Sequence, residues 1–115
     1  MRLESYCLHG AEEDHPNDTV ISRLFEDLLE EHADIKNKIA IVHATSKVEV
    51  TYKELNQNVN AMARFLLRII KKEGMRPNQD GDYIVALRFV PDENLITLIL
   101  ALFKAGIAYL PLAPN

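Results

Sequence analysis

Apolar residues recur with a helical period in two stretches of the chain. The first stretch places five of them on one face: Ile21, Leu24, Phe25, Leu28 and Leu29. Intervals of three and four residues are typical of an amphipathic helix. The opposite face is acidic and is formed by Glu26, Asp27, Glu30 and Glu31. We expect Thr19 to be the N-cap, because its hydroxyl can accept from a free backbone amide, and we expect the helix to end near Asp34.

The second helical stretch is the longer and has a clear start. Thr51 and Glu54 have the spacing of a capping box, in which each side chain accepts from the backbone amide of the other. The predicted buried stripe consists of Leu55, Val59, Met62, Ala63, Leu66, Ile69 and Ile70. Gly74 is positioned to end the helix, because glycine tolerates the left-handed conformation found at many helix ends.

The remaining elements alternate between strand and helix. Ile39–Ala44 and Val48–Val50 predict a hairpin around a turn at Thr45–Lys47. Tyr83–Val90 is almost entirely apolar, which is typical of a strand covered on both faces. A helix is predicted over residues 92–105, with Asp92 and Glu93 at its positive end, Lys104 at its negative end and Gly106 after it. Ile107–Leu112 then predicts a further strand.

The predicted order is helix, β-hairpin, helix, strand, helix, strand, and the last three elements form a βαβ unit. Such a crossover implies parallel strands in a layered α/β fold. The helix at 92–105 is apolar almost all round, and a helix without a polar face is normally buried on several sides. The sequence ends just after a strand that no further helix follows. We therefore expect an incomplete domain over residues 19–115, preceded by a flexible lead-in over residues 1–18, and we expect the isolated chain to be poorly soluble or molten.

Charge and cysteine content narrow the function classes. The chain of 115 residues has a formal net charge of -4. It has no stripe of Lys and Arg of the kind that predicts nucleic-acid binding. The small cluster of Arg68, Lys71 and Lys72 is interpreted as a feature of a helix C-terminus. The single cysteine, Cys7, permits no internal disulfide. With no apparent signal peptide and no apolar run long enough to span a bilayer, we expect a cytoplasmic protein.

Two segments carry a family resemblance. Val50–Asn56 (Val-Thr-Tyr-Lys-Glu-Leu-Asn) resembles the first core motif of adenylation domains in nonribosomal peptide synthetases, and Leu102–Leu112 (Leu-Phe-Lys-Ala-Gly-Ile-Ala-Tyr-Leu-Pro-Leu) resembles the second. The resemblance covers residues 20–115 in order and with the family's spacing. Ala113 departs from it, since the second motif usually has Asp there. The loop and strand segment Pro77–Ala86 resembles the insect β-alanyl-amine synthases of the Ebony type.

The resemblance implies an enzyme that forms an acyl-adenylate from ATP and a carboxylate and passes the acyl group to a phosphopantetheine carrier. It implies ATP and Mg²⁺ as cofactors of the full-length parent, with the rest of the adenylation domain and a downstream carrier domain as partners. In the Ebony-like case it implies β-alanine as the acid and a biogenic amine as the acceptor. This part of the family precedes the nucleotide-binding loop, so we expect no bound cofactor and no catalysis in this fragment.

No residue of this chain is predicted to be catalytic, cofactor-binding or metal-binding. The glycines, Gly10, Gly74, Gly81 and Gly106, form no phosphate-binding loop. The histidines, His9, His15, His32 and His43, have no metal-ligand spacing. Cys7 has no patterned base near it, and the acidic groups Glu12–Asp14 and Glu30–Glu31 are typical of solvated surface. Thr51, Glu54, Lys104, Gly106 and Tyr109 are interpreted as structural.

Two other interpretations stay open. The chain can be a non-catalytic binding or regulatory module derived from such an enzyme, which folds alone and docks through its apolar face. It can also belong to a relative of the acyl-CoA synthetases or luciferases, which share the fold. The run Lys104–Pro111 favours the peptide-synthetase branch over this last interpretation.

Overall fold

The computed structural model describes residues 20–113. The lead-in, Thr19 and Cys7 lie outside the described residues. The elements follow the predicted order and are, along the chain, α1 (Ile21–Glu31), a 3₁₀ helix (Ala33–Asn37), β1 (Ile39–Val42), β2 (Glu49–Thr51), α2 (Tyr52–Lys72), β3 (Tyr83–Leu87), α3 (Glu93–Ala105) and β4 (Ile107–Pro111).

The first helix is shorter than predicted. Helix α1 ends at Glu31 instead of near Asp34, and Asp34 lies in the 3₁₀ helix that follows. Val20 occupies the N-cap position and makes no side-chain hydrogen bond there, as expected for a residue without a polar side chain. Leu29 is the buried residue of this helix, while Leu24 and Leu28 stay about two-fifths exposed. The predicted apolar face is therefore only partly covered.

The hairpin is confirmed, with shorter strands than predicted. β1 and β2 are antiparallel and pair Ile41 with Val50 and Val42 with Glu49. The turn is closed by the His43 N–H, which donates to the Val48 carbonyl over 2.9 Å, and by the Lys47 N–H, which donates to the His43 carbonyl over 2.8 Å. Lys47 has a φ of +61°, a left-handed conformation that lets the chain reverse here.

Most of the predicted stripe of α2 faces the core. Leu55, Val59 and Ala63 are buried, and Met62, Leu66 and Ile70 pack against the buried residues as partly exposed side chains. Ile69 is the exception, because it remains 37% exposed. The helix ends where Gly74 adopts a φ of +59°. The loop beyond is ordered by the Asn78 side-chain oxygen, which accepts from the backbone amides of Asp80 and Asp82.

The βαβ unit is confirmed. β3 and β4 are parallel and pair in register from Tyr83 with Ile107 to Leu87 with Pro111. Asp92 caps α3, because its Oδ1 accepts from the Asn94 N–H over 2.9 Å and from the Leu95 N–H over 3.1 Å. Gly106 ends α3 with a φ of +70°. The chain can therefore turn directly from the helix into β4.

The core has two joined clusters of buried side chains. One lies between α2 and α3 and contains Leu55, Val59, Ala63 and Ala101. The other lies between α3 and the parallel strands and contains Leu87, Leu98, Leu102 and Ile107. Met62, Leu66 and Ala105 contact both clusters. Helix α3 is therefore the shared wall of the core, which explains why so much of its circumference is apolar.

The prediction that Tyr83–Val90 is covered on both faces is wrong for the described residues. The strand ends at Leu87, and its side chains alternate between half-buried and exposed. Tyr83 and Val85 face the core, whereas Ile84 is 56% exposed. A sheet face needs a packed layer to bury it, and residues 20–113 supply that layer on one side only.

Candidate functional site

The capping box uses both polar side chains of the first motif segment. The Glu54 N–H donates to Thr51 Oγ1 over 3.2 Å, and the Thr51 N–H donates to Glu54 Oε2 over 2.9 Å. The Thr51 hydroxyl also donates to Glu54 Oε2 over 3.1 Å. The backbone hydrogen bond from Thr51, followed by that from its side chain, lowers the pKa of Glu54, since both favour the ionised form. The structure thus supports the structural interpretation of this pair.

The second motif segment contains the end of α3 and residues that pack in the core. Tyr109 lies in β4 and packs against the cluster around Leu102. Its ring centroid lies 6.1 Å from that of Phe103, with the ring planes tilted by 41°, a geometry in which aromatic rings attract one another. Tyr109 therefore packs between α3 and the sheet, as the structural interpretation predicts.

Lys104 has tertiary partners that the sequence did not predict. Its ammonium group contacts the Glu26 carboxylate on α1 and donates to the Asn60 side-chain oxygen on α2. All three helices therefore meet at one polar group. Burial lowers the pKa of Lys104, while the facing carboxylate favours its charged form. Lys104 also lies in the last turn of α3, so the predicted interaction with the helix dipole is one of two roles.

Glu26 lies on the predicted acidic face of the first helix, and the structure gives it a partner on another helix. Its side chain is 29% exposed and pairs with Lys104. A weak signal for the contact exists, because Glu26 and Asn60 each follow a core-facing residue, Phe25 and Val59. Such positions border the apolar stripe of a helix, where a polar side chain can reach a neighbouring helix. That signal indicates proximity to the core, but it does not identify the partner.

His43 belongs to the hairpin turn and forms no catalytic arrangement. Its Nδ1 accepts from the Ser46 N–H over 3.2 Å and contacts the Ser46 hydroxyl. The Glu93 carboxylate lies 4.0 Å from the same nitrogen. A nucleophile and an orienting acid must contact different ring nitrogens in a triad, whereas here both approach Nδ1. This geometry fits turn closure.

Residues 20–113 contain neither a glycine-lined phosphate cradle nor a group of metal-ligating side chains. A phosphate cradle needs several backbone amides converging at glycines, but Gly74, Gly81 and Gly106 lie at separate loop and helix ends. A Cβ atom added at any of these three glycines would meet no other atom within 4 Å, so none of them is a place where another group packs closely against the backbone. Across residues 20–113, no group of three His, Cys, Asp or Glu side chains could hold a metal ion. His9, His15 and Glu12–Asp14 lie outside this range.

The parallel strands carry an open apolar surface. Its centre is the outer face of the sheet, formed by Ile84 and Ala86 of β3 and by Ala108 and Leu110 of β4, all exposed. Ile84 pairs with Ala108, and Ala86 pairs with Leu110. An apolar groove of about 540 Å³ adjoins it, lined partly by Val20, Ile21, Phe103 and Ala108. Parallel strands are normally covered on both faces, so this surface is suited to packing.

Comparison with known proteins identifies the family. The chain is 36% identical over 102 residues to the beta-alanyl-bioamine nonribosomal peptide synthetase ebony of Drosophila melanogaster, covering 83% of this chain and 11% of that protein. It is 34% identical over 106 residues to bacitracin synthase 3 of Bacillus licheniformis, covering 92% of this chain and 2% of that protein. It is also 36% identical over 115 residues to the N-(5-amino-5-carboxypentanoyl)-L-cysteinyl-D-valine synthase of Penicillium chrysogenum, covering 100% of this chain and 3% of that protein. The chain belongs to the adenylation-domain family of nonribosomal peptide synthetases.

Solved structures agree with this adenylation-domain fold. The N-terminal subdomain of Klebsiella oxytoca NpsA matches with a TM-score of 0.61 at 20% identity, covering 83% of this chain and 22% of that chain. The fatty acyl-adenylate ligase of L. pneumophila matches with a TM-score of 0.54 at 24% identity, covering 81% of this chain and 15% of that chain. No family model matches the chain. This adenylation-domain segment spans between 2% and 11% of the length of the three curated relatives.

Proposed function

We propose that this chain is the N-terminal scaffold segment of an ATP-dependent ligase that activates an amino acid as its adenylate and passes it to a phosphopantetheine carrier. The relation to peptide synthetases from an insect, a bacterium and a fungus supports the reaction class. ATP and Mg²⁺ belong to the full-length protein in this proposal. Residues 20–113 contain no glycine-lined phosphate cradle and no group of metal-ligating side chains, so we assign no chemical step to them.

The similarity to ebony supports a narrower substrate proposal. That relative is a beta-alanyl-bioamine nonribosomal peptide synthetase. We propose β-alanine as the activated acid and a biogenic amine as the acceptor. Phosphopantetheine carries the activated acyl group on a carrier domain in this scheme, and the cytoplasm remains our prediction for the location. Among residues 20–113, no helix is both long enough and apolar enough to cross a membrane.

One observation carries the scaffold role, namely the open apolar face of the parallel strands. Ile84 and Leu110 are 56% and 53% exposed although they lie at the centre of this face. The rest of the adenylation domain is the proposed cover. The motif residues Thr51, Glu54 and Tyr109 are all engaged in caps or packing, which supports a segment that positions the sheet without performing catalysis.

A second proposal is a non-catalytic binding or regulatory module that folds alone and docks through the same face. Thermal unfolding of the 115-residue chain with dye binding separates the two proposals. A sharp cooperative transition favours the module, whereas dye binding without a transition favours the scaffold segment. The acyl-CoA synthetase or luciferase relation is the weaker alternative, since the L. pneumophila ligase shows similarity in fold alone.

Pyrophosphate exchange into ATP tests the reaction directly. The full-length protein is assayed with β-alanine, other amino acids and fatty acids, and the 115-residue chain serves as the matched control. We expect exchange with β-alanine in the full-length protein and none in the control. Exchange with another amino acid overturns the substrate proposal but keeps the reaction class. Exchange with fatty acids alone, or with no acid, contradicts the amino-acid-activating function.

A further inference from the structure

Four cations lie together on the outer face of α2. Arg64, Arg68, Lys71 and Lys72 are separated by intervals of four, three and one residues, and all four side chains are exposed. Residues three or four positions apart are neighbours on a helix surface. The side opposite them contains the buried residue Ala63. We call these four residues the basic face of α2.

Interaction with the helix dipole explains only half of the basic face. Lys71 and Lys72 lie in the last turn of α2, where cations are stabilised, but the dipole effect fades beyond that turn. Arg64 and Arg68 lie earlier along the helix. Within residues 20–113, no ion pair joins any of the four cations to an acid. Like charges four residues apart repel each other, so the arrangement of these cations is unfavourable for the isolated helix.

Apolar side chains are interspersed with these cations. Leu67 is 48% exposed and Phe65 is 49% exposed. A shallow groove of about 510 Å³ is lined by Ala61, Arg64, Leu67 and Arg68. A polar solvated face does not require such residues. Exposed apolar side chains next to arginines are instead typical of the surfaces that bind other proteins.

We propose that the basic face of α2 docks an acidic amphipathic helix from another domain or protein. In this arrangement, apolar side chains of the partner occupy the groove beside Leu67, and its carboxylates pair with Arg64 and Arg68. The chain as a whole has a net charge of -4, so the basic face is a local reversal of sign and selects an acidic partner. A bare phosphate backbone leaves the apolar groove unfilled, so the groove favours a polypeptide. This proposal does not depend on the reaction proposed above.

The test measures binding of a designed peptide to the full-length protein. The probe is a helix-stapled peptide with a leucine stripe flanked by glutamates, and its matched controls carry lysine for glutamate or serine for leucine. Fluorescence anisotropy is recorded at about 150 mM and about 500 mM salt, because screening weakens exposed ion pairs. We expect the acidic peptide to bind, and to bind at least about tenfold more weakly to the Arg64→Gln/Arg68→Gln variant.

Two further variants separate the groove from general charge. Leu67→Ala should weaken binding by about threefold or more, because the groove loses its apolar anchor. Lys53→Gln/Arg88→Gln removes the same charge from exposed positions outside the basic face and should change binding by less than about twofold. Circular dichroism of each variant checks that α2 remains folded.

Several outcomes overturn the proposal. These are equal binding of the acidic and lysine peptides, equal loss in the Lys53→Gln/Arg88→Gln control, or no binding by the full-length protein. If the protein binds phosphatidylserine vesicles through Arg64 and Arg68 but does not bind the peptide, the partner is a membrane surface instead. A cross-link from the basic face to a second copy assigns this face to self-association, and a cross-link to residues 1–19 of the same chain assigns it to an intramolecular contact.

Discussion

Removal of the Leu102 side chain tests the central packing of the fold. Leu102 is fully buried in α3 and packs in a cluster with Leu87, Leu98 and Ile107, which are each 9% exposed or less. The Leu102→Ala substitution leaves a cavity bounded by a helix and two paired strands. The surrounding elements cannot easily close such a cavity, so we expect the free energy of unfolding to fall by roughly 3 to 5 kcal/mol.

Leu67→Ala is the matched control for this substitution. Leu67 also lies in a helix, but it is 48% exposed. The same side-chain atoms are removed, but no cavity forms. Surface substitutions of this kind change the free energy of unfolding by about 0.5 kcal/mol or less. The difference between the two variants therefore isolates the contribution of burial.

Hydrogen exchange in the full-length protein measures the effect. A loss of about 3 kcal/mol accelerates the slowest amides of α3 and of the β3–β4 pair by more than about a hundredfold, since about 1.4 kcal/mol corresponds to a factor of ten. Leu67→Ala should leave the same amides within about threefold of the parent. Similar acceleration in both variants would show that Leu102 is not at the centre of the core and would refute the packing argument.

Three smaller perturbations test the helix ends. Thr51→Ala should destabilise the first turn of α2 by about 1 kcal/mol; it should also raise the pKa of Glu54 part of the way to its usual value, because the backbone hydrogen bond remains. Since that pKa is lowered in the fold, the capping interaction is present above pH 4.5 and is lost as the pH falls through the lowered value, which an NMR titration follows. Gly106→Ala should lower the free energy of unfolding by about 1 to 2 kcal/mol, because the φ of Gly106 is +70° and an added Cβ would meet no other atom, so that only backbone strain remains. Urea unfolding measures this change, and an unchanged midpoint contradicts it. Lys104→Met should destabilise by roughly 1 kcal/mol by leaving the half-buried Glu26 carboxylate unpaired. Adding Glu26→Gln should recover part of that loss, and additive losses would show that the two side chains do not interact.

Local signals predicted most of the described fold. The capping box at Thr51 and Glu54, the stop at Gly106 and the start at Asp92 each depend on residues within a few positions, and each is present in the structure. The hairpin was predicted for the same reason, because its turn and its alternating strand lie within one short segment. Such features are determined by local hydrogen bonding and backbone conformation. They therefore follow from sequence without knowledge of the rest of the molecule.

The tertiary contacts could not be predicted in this way. Nothing in the spacing of Glu26, Asn60 and Lys104 relates one to another, because the helices that carry them are far apart in sequence. The location of the uncovered apolar surface was also only partly predicted. The apolar pattern of residues 92–105 predicts it on that helix, where Ile96 and Phe103 are indeed 43% exposed each. Exposed apolar side chains lie on the sheet as well, at Ile84 and Leu110, whereas α3 is packed against α1, α2 and β4.

The position of the motif residues constrains how this segment can affect the proposed activity. The Thr51–Glu54 pair holds the start of α2, and Gly106 joins α3 to β4. Both helices pack against the core-facing side of the β3–β4 pair, whose opposite face is open. A substitution at these positions affects the sheet through the packing of α2 and α3 against it. Within the proposed function, such a change alters how much of the enzyme is correctly folded and lowers the activity with every amino acid by the same factor, because discrimination between substrates needs direct contact with the group that differs. Within the proposed function, substrate preference is therefore expected to depend on residues outside the motif segments of this chain.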